Sequence, residues 1–118
     1  MLPPRLRAHF ERPRHAGDLP GASHVGRADN PACGDLLWLR LRVERGRIER
    51  AAFRAQGCSA LIAVASLVAD SLQGRTIEQA SRLDVASLVA EAGGVPPGKE
   101  HAPSVVRRAV LEALGGAP

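Results

Sequence analysis

A chain of 118 residues, 45% hydrophobic and 24% charged, has the size and composition of one globular domain with a genuine core. Its two cysteines, Cys33 and Cys58, are too few for a disulfide scaffold, and its longest nearly apolar run, Ala60 to Ala69, falls well short of the roughly 20 residues that span a bilayer. The formal charge of +4 rests on arginine, with Lys99 the single lysine, and it leaves room for an acidic partner.

Residues 1–30 are rich in Pro, Gly, Arg and His, and only Leu6–Glu11 hints at a short helix. This stretch is expected to be a flexible N-terminal arm, with residues 31–118 forming the domain proper. Within the arm His9, His15 and His24 are expected at the surface. Nothing near Met1 resembles a secretory leader, so a cytoplasmic, reducing location is expected, with the cysteines as free thiols or metal ligands. A disulfide between them ranks below metal binding.

From Leu36 the period becomes two. Leu37, Leu39, Leu41 and Val43 alternate with Trp38, Arg40 and Arg42, which predicts a strand with one buried face. Glu44-Arg45-Gly46 suits a hairpin turn, and a second strand follows from Arg47 to Ala55. Six arginines between Arg40 and Arg54 therefore crowd one hairpin. With only Phe10, Trp38 and Phe53 as aromatics, a base-stacking platform is poorly supplied, and a solvated basic face is the simpler reading; nucleic acid is not an expected partner.

After Gly57 the pattern becomes helical. Ser59 to Leu72 is apolar around most of its circumference, which predicts a helix buried by the domain or by a partner, with Gly74 as its stop. Thr76 and Gln79 have capping-box spacing, and Asp84 can cap a helix running to about Ala92. Val95-Pro96-Pro97-Gly98 must be a loop, and a last helix is predicted from about Pro103 to Leu114. Strands followed by helices make an α+β fold.

Both thiols fall at element boundaries: Cys33 in a turn before the first strand, Cys58 at the mouth of the long helix. A helix N-terminus favours thiolate, and Gly34 and Gly57 leave room for a metal or a reacting sulfur to approach. Asp35 and His101 could add oxygen and nitrogen donors, making a sensible set for zinc or labile iron. The spacing of the cysteines matches no zinc-finger pattern, so spacing alone does not decide between a metal site and two buried thiols.

The run Asn30-Pro31-Ala32-Cys33-Gly34-Asp35, then a strand pair, then Gly57-Cys58-Ser59-Ala60, resembles the IscU/NifU family of iron–sulfur cluster assembly scaffolds. His9-Phe10-Glu11-Arg12-Pro13-Arg14-His15-Ala16-Gly17 is similar to that family's N-terminal segment, and Pro96-Pro97-Gly98-Lys99-Glu100-His101 to the loop before its last helix. The resemblance implies a three-stranded antiparallel sheet packed against helices. It also implies a transient [2Fe–2S] cluster, or iron or zinc, held by Cys33, Asp35, Cys58 and His101 beside Lys99. It further implies a cysteine desulfurase as sulfur donor, with Cys33 and Cys58 the candidate acceptors, apo iron–sulfur proteins as recipients and an Hsp70-type chaperone system as a partner. The family's third cysteine follows the histidine directly, and here that position is Ala102. Gly98 likewise stands where the family's chaperone-recognition loop usually has valine. The alternative is a zinc-binding persulfide-transfer accessory or a regulatory partner of the desulfurase. None of these roles is enzymatic in the strict sense.

Overall fold

The computed structural model describes residues 1–115. In chain order it contains α1 (Pro4–Glu11), β1 (His24–Asn30), β2 (Asp35–Glu44), β3 (Arg47–Gln56), α2 (Ser59–Leu72), α3 (Ile77–Ser81), α4 (Val85–Glu91) and α5 (His101–Gly115). The three strands form one antiparallel sheet in the order β1-β2-β3, so the α+β architecture is as expected. Residues 116–118, the end of the expected domain, lie outside the described residues.

Alternation drives β2 and β3. Leu37, Leu39 and Leu41 point inward and are buried, as are Ile48, Ala51 and Phe53 on β3, while Trp38, Arg40 and Arg42 share the outer face with Arg50 and Arg54. Arg45 and Gly46 both take positive φ, 53° and 75°, the conformation a tight two-residue hairpin turn requires. The outer face is basic but partly neutralised. Arg54 donates to Asp18 at 2.7 Å and holds that carboxyl below its usual range, and the Arg27 guanidinium lies 5.9 Å from the centre of the Trp38 ring.

The helices cover the other face. α5 crosses β1 and β2, α2 lies against β3, and α1 packs on α2. α2 is therefore buried by the domain itself: ten of its side chains, from Ala60 to Leu72, are inaccessible. The capping box is present, with Thr76 Oγ1 accepting the Gln79 N–H at 3.1 Å and Gln79 Oε1 accepting the Thr76 N–H at 3.0 Å. Asp84 caps α4 through the Ser87 N–H, which keeps its carboxyl below the ordinary value.

The expected arm requires correction. It contributes α1, whose Leu6 is fully buried, and β1, a full member of the sheet that runs from His24↔Leu41 to Asn30↔Asp35. β1 lacks the apolar alternation that betrays a strand because its inward residues are small. At Gly26 a Cβ would collide with the Ala109 carbonyl and with Ala113 on α5, so bare backbone is what lets that helix lie close. His9, His15 and His24 are also half-buried rather than exposed. His9 Nδ1 lies 2.7 Å from Ser66 Oγ, and His15 Nε2 lies 3.0 Å from Asp70 Oδ1. No helix among the described residues is long and apolar enough to cross a membrane.

Candidate metal centre

Three elements begin at one corner of the molecule. Asp35 opens β2, Cys58 caps the start of α2, and His101 opens α5, two residues earlier than the predicted start. Their donor atoms all lie within 4.8 Å of one another. Cys58 caps α2 with its backbone alone, in extended conformation, which leaves the thiol free of any capping hydrogen bond. Its Sγ lies 3.9 Å from His101 Nε2, and its N–H donates to Asp35 Oδ1 at 3.4 Å.

Asp35 is the unusual member. Its side chain is 0% exposed, yet Oδ2 has no hydrogen-bond partner: His101 Nε2 stands 2.8 Å away without the alignment a hydrogen bond needs. A buried carboxylate oxygen left in that state is costly, and a cation drawn in among sulfur, nitrogen and oxygen would satisfy it. The donor chemistry thus fits a metal ion of the zinc or iron type.

Gly57 makes the corner possible. Its φ is 152°, and a Cβ there would run into Asp35 Oδ1 and press on Leu61. Gly34, at φ 71°, turns the chain between Cys33 and Asp35 with open space around it. Cys33 itself is not brought into the group of three. It is exposed in the turn between β1 and β2, its N–H donating to the Asn30 carbonyl at 3.0 Å. Both cysteines are free thiols. Lys99 is half-buried in the turn leading to α5, its N–H bonded to the Pro96 carbonyl at 3.0 Å, and it forms no salt bridge among the described residues. Ala102 is fully buried.

Fold and corner together define a class: small α+β domains with helices on one face of a three-stranded sheet and a mixed sulfur, nitrogen and oxygen donor set where strand, helix and helix begin. The chain belongs to the NifU-like N terminal domain family, which it matches over residues 4–116. It is 36% identical over 108 residues to the iron–sulfur cluster assembly scaffold protein IscU 1 of Archaeoglobus fulgidus, covering 88% of this chain and 71% of that one. The IscU scaffold protein of Azotobacter vinelandii is 36% identical over 110 residues, covering 90% and 85% of the two chains. Among solved structures, the FiSufU protein of Fervidobacterium islandicum AW-1 shares the fold with a TM-score of 0.73 at 15% identity, covering 94% of each chain. The N-terminal NifU-like protein of Brucella abortus does so with a TM-score of 0.64 at 18% identity, over 92% of this chain and 76% of that one.

Proposed function

We propose that this protein is an iron–sulfur cluster assembly scaffold or carrier that holds iron or a [2Fe–2S] cluster as cargo at the corner formed by Asp35, Cys58 and His101. The observation that carries this reading is the convergence of the buried Asp35 carboxylate, whose Oδ2 receives no hydrogen bond, with a free thiol and the His101 imidazole 2.8 Å from that oxygen. Cys58 supplies a thiolate, His101 Nε2 a neutral nitrogen and Asp35 a carboxylate oxygen. Cys33, exposed on the Gly34 turn, supplies the fourth donor by turning its side chain toward the group. Lys99 adds positive charge beside an anionic cargo, while Gly34 and Gly57 keep the approach clear. One thiolate fewer than the family resemblance implies, with Ala102 in that place, makes the hold on iron weaker and release to apo-proteins easier. A cysteine desulfurase is the sulfur source in this scheme, and an Hsp70-type system the candidate helper in release.

A second reading is favoured by the separation of Cys33 from the other three donors. Zinc held by Asp35, Cys58 and His101 would leave Cys33 free to carry sulfur. Its thiolate would attack the terminal sulfur of the desulfurase persulfide, form a new S–S bond and release the desulfurase thiolate.

Anaerobic reconstitution with iron, cysteine and a desulfurase separates the two. Near-equal iron and acid-labile sulfide per chain, lost in Cys58→Ser and Asp35→Ala, is the result expected of a scaffold. Retained zinc without sulfide, with persulfide on Cys33, overturns it in favour of the sulfur carrier.

A further inference from the structure

On the side of the molecule formed by α1, this helix and the chain after it bound an open cleft of about 290 Å³, lined by Arg5, Ala8, His9, Arg12 and Arg14. Three guanidiniums and an imidazole line it, and no carboxylate does. Two of the guanidiniums are only lightly engaged. Arg5 Nη1 donates to the Glu91 carbonyl at 3.3 Å, and Arg14 Nη1 stands 3.8 Å from Asp70 Oδ1. Arg12 forms no salt bridge among the described residues.

Surface arginines alone would be a solvated patch. The imidazole is what sets this cleft apart, because a buried group fixes it. Ser66 on α2 is 0% exposed, and its Oγ accepts the Arg14 backbone N–H at 2.7 Å. The same Oγ lies 2.7 Å from His9 Nδ1, a hydrogen bond that fixes the orientation of the ring. Nδ1 is thereby the engaged ring nitrogen, and Nε2 is the one left over. Nε2 has no hydrogen-bond partner among the described residues, and it belongs to a residue that lines the cleft.

We propose that this cleft binds a phosphate group, free or carried on a nucleotide, through the forks of Arg5, Arg12 and Arg14 and through His9 Nε2, which donates to the anion when it carries a proton. Several charge-assisted hydrogen bonds converging on one multiply charged tetrahedral group suit planar guanidiniums better than a single carboxylate would. Burial first, then Arg14, Arg5 and His15, hold the His9 pKa below its ordinary value, and Asp70 opposes them. A bound anion offsets the arginines' repulsion, so occupancy raises that pKa.

The test follows the His9 ring Cε1–H by NMR in the full chain while inorganic phosphate, pyrophosphate or ATP is added at constant ionic strength. A saturating shift with a dissociation constant on the order of 1 mM or tighter is expected, together with an upward move of the His9 titration midpoint. Arg12→Gln, a change at an exposed position, should weaken binding roughly tenfold. Pyrophosphate matching ATP identifies the phosphate itself as the ligand, and tighter ATP binding identifies the nucleotide. The proposal fails if His9 shows no saturable response, if chloride reproduces the response, or if the double variant Arg12→Gln, Arg14→Gln binds as the parent does.

Discussion

The donor corner and the seam between α1 and α2 both bury polar groups in a largely apolar domain, and they differ in how completely those groups are paired. At the seam Ser66 Oγ makes two hydrogen bonds, to the Arg14 N–H and to His9 Nδ1, at 2.7 Å each, so the buried hydroxyl has its partners. At the corner Asp35 is just as buried, and its Oδ2 has the His101 imidazole 2.8 Å away but no hydrogen bond. Complete pairing is what docking a helix needs, whereas an incomplete set holds a place for something else.

The largest effect is expected from crowding the corner. Gly57→Val should destabilise the fold by about 3 kcal/mol, since it combines a disfavoured backbone at φ 152° with a collision against Asp35. Denaturant melts together with bound-metal counts would show both stability and metal lost. Ser66→Ala breaks the paired side of the comparison. It strands the Arg14 N–H and frees His9, and a loss of about 1–2 kcal/mol is expected in the same melts.

Asp35→Asn sharpens the contrast, because it should remove metal while costing the metal-free protein little or even stabilising it by about 1 kcal/mol. Thermal melts of chelated and zinc-loaded samples would reveal that opposition; a large loss in the chelated sample would mark Asp35 as purely structural. The smallest effect concerns pH. Because folding lowers the His9 pKa from 6.5, the unfolded chain takes up the proton first. The contribution is complete above pH 6.5 and declines as pH falls through the lowered folded value. His9→Gln should flatten the stability profile over that window.

Much of the molecule was legible in the sequence because its signals are local. The alternation from Leu37 to Val43, the apolar run from Leu61 to Leu72 and the pairing of Thr76 with Gln79 each act within one element. β1 was hidden for a physical reason: Gly26 and Ala28 are its inward residues, and close packing on α5 replaced the bulky side chains that announce a strand. The corner was half legible. Asp35, Cys58 and His101, named from residue chemistry and resemblance, do meet, whereas the separation of Cys33 rests on the path of an exposed turn, which no spacing encodes. The seam histidines went unread because their partners, Ser66 and Asp70, lie far along the chain and inside an apolar pattern.

Each of the three converging donors stands at or just before the first residue of its element. A cation there would act as a crosslink among chain segments that are far apart in sequence, and its binding energy would count toward folding. Loading and local order are then one equilibrium. Amide exchange in the first turns of α2 and α5 should slow when a metal ion fills the corner and quicken when it is removed, so the backbone itself reports occupancy.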